Sequence, residues 1–193
     1  MKTKETKENK IPDNYMKQIR IHGRGGQGSV TMASMMAEAG FESGNYAQGF
    51  PSFGVERLGA PIEAFVRFDD KEITDRSQVY SPDYVIVQDS TLIELVDVAK
   101  GLSEDGMIII NSSKDAKEID IDTEAKVLTV DATDIARRHL GRPIMNTALS
   151  GAFAKATGLI EKESMAKVIR NTFGGDVGEK NVKAMEEAYR VVE

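Results

Sequence analysis

The stretch GRGGQG at residues 23–28 follows the apolar run QIRIH and precedes SVTMASMMAEAG. The first run alternates like a strand and the last has the apolar spacing of a buried helix, so the glycines form a tight turn between them. Gly23, Gly25 and Gly28 match the pattern G-x-G-x-x-G. Because bare backbone amides at the positive end of a helix suit a phosphate group, the stretch predicts an anion-binding turn.

Two familiar nucleotide-binding motifs fit this turn poorly. A dinucleotide fold needs an acidic residue at a strand tip about twenty residues further on. Glu42 has about that spacing but lies at the predicted helix end. No G-K-[ST] follows the glycines, so a P-loop fits worse still. A purely structural turn stays an alternative, although it needs neither Arg24 nor Gln27, whose side chains suit an anion or a partner's carboxylate.

The chain beyond residue 83 alternates strands and helices. DYVIVQD and GMIIIN are continuous apolar runs that predict parallel strands buried on both faces, and STLIELVDVAKGL at 90–102 predicts the crossover helix between them. AKVLTVDAT predicts a further strand. Helices are predicted after it at 133–141, 146–158, 161–174 and 178–193. This order predicts a three-layer α/β/α domain with a mainly parallel sheet.

A glycine- and proline-rich segment separates the first helix from these units. APIEAFVRF alternates as a strand that makes the sheet mixed, and the DDK after it predicts a hairpin turn. The segment YAQGFPSFGVERLGAP at 46–61, called the second loop below, is predicted to be irregular, and loops of roughly fifteen residues tend to be functional. Ser52, Glu56 and Arg57 are its candidate polar contacts at an interface or ligand cleft, because arginine beside aromatic residues is typical of interface anchors.

Composition excludes several kinds of chemistry. The chain has 193 residues, which suits one domain, and no cysteine, so it can form no disulfide, thiolate nucleophile or iron–sulfur cluster. His22 and His139 lie far apart in sequence, which argues against a zinc site. We expect His22 to pack at a strand end and His139 to lie at a solvated helix end. The net charge of −6 argues against nucleic acid as the main partner.

The start of the chain predicts a tail outside the core. Residues 1–16 are polar and have no apolar periodicity, so we expect a flexible tail followed by a single domain at 17–193. The tail lacks the apolar segment of a signal peptide, and the chain has no membrane-spanning run of about eighteen apolar residues. These features predict a cytoplasmic protein without a membrane partner.

Two further positions have both a functional and a structural interpretation. Asp89 and Ser90 end a predicted parallel strand, where open α/β sheets bind ligands, but they equally suit the cap of the following helix. Asn146 suits the cap of the helix predicted at 146–158. Small residues within that helix allow another helix of the chain to approach closely, namely Ala148, Ser150, Gly151 and Ala152.

GRGGQG followed by AQGFPSFGVERLGAPIEAFVRF closely resembles the gamma subunit of the 2-oxoacid:ferredoxin oxidoreductases, most of all that of pyruvate:ferredoxin oxidoreductase. The resemblance runs from about Gln18 to the C-terminus and includes the segment NTALSGAF. It implies a layered α/β/α domain within a complex that oxidatively decarboxylates a 2-oxoacid with coenzyme A and passes electrons to ferredoxin.

The resemblance also implies how the work is divided among subunits. Thiamine diphosphate is expected on the alpha and beta subunits and the iron–sulfur clusters on beta and delta, so this chain is expected to have no catalytic residue, metal or tightly bound cofactor and to be inactive alone. The roles that the resemblance leaves for this chain are assembly of the complex and substrate access. The candidate contacts with coenzyme A or with the large subunits are Gly23, Arg24, Gly25, Gly26, Gln27, Gly28, Ser52, Glu56 and Arg57.

Two alternatives to a pyruvate-specific gamma subunit stay open. One is a gamma subunit for another 2-oxoacid, such as 2-oxoglutarate, a branched-chain oxoacid or indolepyruvate, because substrate selection is expected in the large subunits. The other is a free-standing dinucleotide-binding protein that uses the glycine turn for NAD or FAD.

Overall fold

The computed structural model describes residues 16–52 and 58–192, and within them six strands form one sheet. The strands are β1 (Lys17–Arg24), β2 (Tyr46–Pro51), β3 (Pro61–Asp69), β4 (Tyr84–Val87), β5 (Met107–Asn111) and β6 (Lys126–Val130). Their order across the sheet is β2-β3-β1-β4-β5-β6. Strands β1, β4, β5 and β6 run parallel, and β3 is antiparallel to β1. The expected α/β fold with a mixed, mainly parallel sheet is confirmed.

The α-helices of these residues all contribute to one apolar core on one face of the sheet. They are α1 (Ser29–Glu42), α2 (Ala132–Leu140), α3 (Asn146–Thr157), α4 (Lys162–Phe173) and α5 (Gly175–Val191). The strands supply fully buried side chains such as Ile21, Ile86 and Ile109 to this core. Each such side chain stabilises the fold by about 1.5–3 kcal/mol on burial. None of these helices is long and apolar enough to cross a bilayer.

The opposite face of the sheet is covered by irregular chain and two short 3₁₀ helices, Ser90–Leu92 and Ala116–Glu118. These segments pack apolar side chains such as Leu92 and Val98 against the strands. The third layer of the domain is therefore built from turns in the described residues.

The prediction of a crossover helix over 90–102 is wrong, and the buried cation of Arg20 explains why. Arg20 on β1 is 5% exposed, and its guanidinium donates hydrogen bonds to the carbonyl oxygens of Val98 at 3.1 Å and Lys100 at 2.6 Å. A helix would direct these carbonyls along its own axis, away from Arg20. The irregular chain supplies both acceptors of the Arg20 Nη2 group, which a helix would leave without them.

The prediction of a hairpin turn at residues 69–71 is also wrong. β4 pairs with β1 rather than with β3, and the chain that joins β3 to β4 has no regular structure. The fully buried guanidinium of Arg67 organises this connection by donating to the carbonyl oxygens of Asp75 at 3.4 Å, Ser77 at 2.8 Å and Gln78 at 3.5 Å.

Strand β2 occupies part of the second loop, which the sequence predicted to be irregular. It is an edge strand paired antiparallel with β3. Its sequence YAQGFP shows no apolar alternation, so the period that identifies strands is missing. Gly49 allows α1 to pack closely, because a Cβ there would lie 2.5 Å from the carbonyl oxygen of Ala33. Packing against α1 and pairing with β3 therefore form this strand.

The small residues of α3 do allow another helix of the chain to approach, as expected. Ala148, Gly151 and Ala152 of α3 are buried, and α3 packs against α5. A Cβ on Gly151 would overlap the backbone carbonyl oxygen of Met185. The absence of a side chain at residue 151 thus sets the distance between the two helix axes.

We predict that Gly151→Ala destabilises the chain. Alanine normally stabilises a helix interior relative to glycine by up to about 1 kcal/mol, whereas this methyl group would displace the backbone of α5 and cost about 1–3 kcal/mol. The free energy of unfolding by urea measures the change. Gly178→Ala in α5 is the matched control, since its Cβ would lie 3.3 Å from the Cα of Arg170 and should cost less. Unchanged stability in Gly151→Ala would contradict the close α3–α5 contact.

Candidate functional site

The glycine loop, residues 23–28, forms the tight turn between β1 and α1 that the sequence predicts. Gly26 and Gly28 have φ angles of 94° and 77°, in the region that favours glycine. Gln27 closes the turn: its side-chain Oε1 accepts from the Arg24 backbone N–H at 2.8 Å, and its own N–H donates to the Arg24 carbonyl at 3.0 Å. Local hydrogen bonds thus hold the loop in one shape.

A single carboxylate joins the glycine loop to the end of β4. Asp89 Oδ2 accepts from Arg24 Nε at 2.9 Å and from Gln27 Nε2 at 3.1 Å. Asp89 Oδ1 accepts from the Thr91 backbone N–H at 3.1 Å and from its hydroxyl at 2.6 Å. We call these hydrogen bonds, together with the one from Arg24 to Thr91 Oγ1 at 2.7 Å, the Asp89 network.

The Asp89 network keeps its carboxylate ionised. Burial raises the pKa of Asp89, but the hydrogen bonds from Thr91, Gln27 and Arg24 together lower it below its ordinary value. Asp89 also caps the 3₁₀ helix through Thr91, so the capping role proposed for it is confirmed. The residue therefore supports both the turn after β4 and the glycine loop.

The structure brings the end of the second loop against the glycine loop. Leu58 forms an isolated β-bridge with Gly25, whose N–H donates to the Ala60 carbonyl at 2.9 Å and whose carbonyl accepts from the Gly59 N–H at 3.0 Å. Arg24 Nη1 donates to the Gly59 carbonyl at 3.1 Å. The two sequence motifs are therefore neighbours in space. Leu58 is 92% exposed, so an apolar side chain stands at the rim of the loop.

The loop has two backbone donors without an acceptor in residues 16–52 and 58–192. They are the N–H groups of Gly26 and Gly28, and Gly26 is exposed. Gly28 is also the N-cap of α1, where no side chain caps the helix. The positive end of a helix and unpaired amides favour an anion. Asn146 does not cap α3 as predicted; Met145 occupies that position, and the Asn146 side chain lies beside Gly28.

A cleft of about 860 Å³ adjoins the loop at the carboxyl ends of β4, β5 and β6. Gln27 and Asp89 form its edge nearest the loop. Lys114 and Arg137 supply cations to its wall. Its carboxylates are those of Asp89, Glu94, Glu118, Asp120 and Asp131. Because acidic groups outnumber basic ones in the cleft, a phosphate is favoured at the glycine loop rather than inside it.

The other predicted site residues do not meet the glycine loop in the described residues. The Ser52 N–H donates to the Glu63 carbonyl at 2.9 Å, and its hydroxyl accepts from Gln78 Nε2 at 3.1 Å. Glu56 and Arg57 lie outside the described residues. Glu42, the alternative ribose ligand, ends α1 and pairs with Lys167 at 2.7 Å.

The two histidines have partners within the fold. His22 is 4% exposed on β1, where its Nε2 accepts from Arg20 Nε at 3.0 Å. Burial and the charge of Arg20 lower the pKa of His22 to about 3, although a hydrogen bond involving Val98 opposes the shift. His139 does lie in the last turn of α2, but it is only partly exposed, and its Nε2 lies 2.6 Å from Glu187 Oε2 of α5. Across the described residues, no three His, Cys, Asp or Glu side chains are grouped to hold a metal ion.

Sequence reasoning did not identify the contacts that shape the loop. Asp89 was recognised as the end of a buried strand, but the link to Arg24 and Gln27 spans more than sixty positions and leaves no local pattern. Likewise, nothing in the run LGA marks residues 58–60 as the partner of Gly25. Both contacts come from strand pairing, which places the ends of β1, β3 and β4 at neighbouring positions.

The fold and the site define an α/β domain whose glycine loop presents backbone amides beside a polar cleft. The family model described as pyruvate ferredoxin/flavodoxin oxidoreductase matches residues 18–191. A relative named pyruvate synthase subunit PorC from Methanocaldococcus jannaschii is 56% identical over 174 residues, which are 90% of this chain and 96% of the relative.

A second relative and a crystal structure agree with this match. The common subunit gamma of the pyruvate/ketoisovalerate oxidoreductases of Pyrococcus abyssi is 53% identical over 177 residues, 90% of this chain and 96% of that subunit. The crystal structure of pyruvate oxidoreductase subunit PORC from Thermotoga maritima superposes with a TM-score of 0.83 at 38% identity, covering 92% of this chain and 97% of that one. The chain belongs to the pyruvate ferredoxin/flavodoxin oxidoreductase family, as a gamma subunit of a 2-oxoacid:ferredoxin oxidoreductase.

We predict that His22 makes the stability of the chain sensitive to acid. Histidine in an unfolded chain titrates near pH 6.5, whereas folded His22 binds a proton only near pH 3, so the unfolded state binds more protons in between. The contribution of neutral His22 to the free energy of unfolding is complete above about pH 6.5. It decreases as the pH falls and is smaller by about 2 kcal/mol at pH 5.

Urea unfolding at pH 8 and pH 5 measures this effect as a difference between variants. His22→Gln should lose less stability between the two pH values than the native chain does. His139→Gln serves as the control because it removes the other histidine. Equal losses in the native chain and His22→Gln would contradict a neutral, buried His22.

Proposed function

We propose that this chain is the gamma subunit of a pyruvate:ferredoxin oxidoreductase complex, or pyruvate synthase, which converts pyruvate and coenzyme A to acetyl-CoA, CO₂ and reduced ferredoxin. The observation that supports pyruvate is the 56% identity to a relative named pyruvate synthase subunit PorC over nearly its whole length. The partners in this proposal are alpha, beta and delta subunits, with ferredoxin as the electron acceptor of the complex.

The side-chain chemistry of the chain supports a binding and assembly role. The sequence has no cysteine to hold a cluster, His22 is buried and neutral, and His139 is paired with Glu187. Thiamine diphosphate and the iron–sulfur clusters then belong on the partner subunits. We assign residues 17–193 to a single gamma-type domain that acts within the complex, and the cytoplasmic location stays a prediction.

The glycine loop is the proposed site of coenzyme A contact on this chain. Coenzyme A has a diphosphate, and the N–H groups of Gly26 and Gly28 at the start of α1, which have no acceptor in the part of the chain that the structure describes, are donors suited to it. Residues 23–28 therefore contribute mainly through their backbone. Contacts of Ser52, Glu56 and Arg57 with coenzyme A or a large subunit stay predictions. The exposed Leu58 beside Gly26 is a suitable apolar contact for a partner subunit.

A second candidate is a gamma subunit that serves more than one 2-oxoacid. The relative from Pyrococcus abyssi is named as a subunit common to pyruvate and ketoisovalerate oxidoreductases. In such an arrangement substrate choice resides in the other subunits, and this chain supplies the same coenzyme A contact to each complex.

Purification through an affinity tag on this chain tests the proposal. We expect thiamine- and cluster-bearing subunits to copurify, and the complex to reduce ferredoxin with pyruvate only when coenzyme A is present. If pyruvate is the only 2-oxoacid that complexes containing this chain oxidise, the first candidate is supported. If the chain is found in separate complexes, one active with pyruvate and another with 2-oxoisovalerate, the second is supported. A chain that purifies without partners and binds NAD would instead identify a free-standing dinucleotide-binding protein.

We predict that Gly26→Ala weakens coenzyme A binding by the complex. Alanine is strained at a φ of 94°, which favours a different loop backbone, and its Cβ would lie 2.8 Å from Cδ1 of the exposed Leu58 side chain, which must turn away. The KM for coenzyme A should rise about tenfold or more with kcat at saturation little changed, which is the signature of lost binding. Steady-state kinetics of the purified complex measures both constants.

Gly44→Ala is the matched control for this experiment. Gly44 has a φ of 99° at the far end of α1, and a Cβ there meets no atom within 4 Å, so the backbone strain is similar but the site is untouched. A Gly26→Ala complex with the native KM for coenzyme A would remove the glycine loop from the binding site.

A further inference from the structure

We infer that Asp89 is a positioning residue that holds the glycine loop in the shape that binds coenzyme A, and that Arg24 secures the loop to Asp89 rather than binding the anion itself. The expected effect of Asp89 on coenzyme A binding rests on the proposed function. The structural part of the inference rests on the Asp89 network alone.

The first observation is that every nitrogen of the Arg24 guanidinium already has an acceptor within the chain. Nε donates to Asp89 at 2.9 Å, Nη2 to the Thr91 hydroxyl at 2.7 Å, and Nη1 to the Gly59 carbonyl at 3.1 Å. Nη1 and Nη2 each have a second N–H, but turning the guanidinium onto a phosphate would break these three bonds and leave the Asp89 carboxylate without its charged partner.

The second observation is that Asp89 reaches both sides of the turn. The same oxygen, Oδ2, accepts from Arg24 and from the Gln27 side chain, and the other end of the Gln27 amide accepts from the Arg24 N–H. These bonds orient both residues that flank Gly25 and Gly26. The carboxylate itself is held by two bonds from Thr91, so the support extends to the end of β4.

The third observation concerns what the network leaves exposed. The Arg24 and Gln27 side chains turn toward Asp89, and Gly25 is paired with residues 58–60, whereas the N–H groups of Gly26 and Gly28 have no acceptor within the described chain. Preorganised donors bind an anion without a cost for ordering the loop. Asp89 thus favours the binding of an anion although it is itself an anion.

The effect of Asp89→Asn on coenzyme A binding distinguishes the inference from its alternative, because the two predict opposite changes in affinity. If Arg24 were an anion ligand restrained by Asp89, Asp89→Asn would free the guanidinium and remove a nearby negative charge, so coenzyme A would bind more tightly. If Asp89 positions the loop, the same change removes the charge and sets an amide N–H₂ group either against the donors of Arg24 and Gln27 or against those of Thr91, so the network weakens and coenzyme A binds more weakly.

The experiment uses the intact complex with native chain, Asp89→Asn, Arg24→Lys or the double variant, and has two readouts. Hydrogen–deuterium exchange of the peptide that spans residues 23–28 reports the loop without coenzyme A, and kinetics gives the KM for coenzyme A and kcat. We expect Asp89→Asn to speed exchange at least tenfold and to raise the KM about tenfold. Arg24→Lys should act similarly, and the double variant should be no worse than either single variant.

Glu104→Gln is the matched control, because it removes the same charge from an exposed side chain outside the Asp89 network. It should change neither exchange nor KM. If Asp89→Asn complexes do not assemble, Thr91→Val removes only the hydroxyl contacts of the network and should speed exchange of the loop to a smaller degree.

The outcomes distinguish this inference from the proposed function. Unchanged exchange in Asp89→Asn, or a lower KM for coenzyme A, overturns the positioning role of Asp89. Faster exchange with an unchanged KM supports that role but overturns the coenzyme A contact of the glycine loop. Faster exchange with a higher KM, in the absence of any effect of Glu104→Gln, supports both.

Discussion

The carboxylate of Asp89 joins the ends of two neighbouring parallel strands, and the arrangement of the glycine loop at that edge of the sheet depends on it. β1 and β4 run side by side, so Arg24 at the end of β1 and Asp89 just after β4 meet at 2.9 Å. The two side chains are only partly exposed, which strengthens their interaction relative to a surface ion pair. Gln27, Thr91 and Gly59 are arranged around this pair. The geometry resembles a ligand crevice at strand ends, with the acidic group used to support the loop rather than to bind a ribose.

Two buried guanidinium groups determine the layer opposite the helices. Arg20 on β1 and Arg67 on β3 are 5% and 0% exposed, and both bind carbonyl oxygens of irregular chain. A buried arginine cannot lose its proton at physiological pH, so it needs acceptors nearby, and backbone carbonyls supply several of them here. In a regular helix most backbone carbonyls accept hydrogen bonds from the helix itself, so a helix cannot offer several of them to one guanidinium group. The irregular connections before and after β4 are therefore a consequence of charges placed inside the sheet.

Much of the fold could be predicted because its elements have a clear apolar period. The runs that became β1, β4, β5 and β6 and the helices α1 to α5 all bury one face or both, and each was predicted within a few residues. β2 and the segment 90–102 were not. β2 lies at the sheet edge without alternation, and the apolar residues of 90–102 pack as turns because Arg20 takes their carbonyls. For the site, the glycine loop was predicted from its motif, but the roles of Asp89, Thr91 and residues 58–60 depend on strand order.

The sequence by itself determined the family, the α/β class and the position of the glycine turn, since each depends on local composition, spacing or motif. It also excluded cluster binding by this chain, because no cysteine is present. Only the tertiary structure decided which groups surround the glycine loop. Arg24 looked like an anion ligand in the sequence, yet pairing of β1 with β4 brings Asp89 to it from sixty-five positions away. Hydrogen-bond partners across a sheet follow from strand order, which no short stretch of sequence specifies.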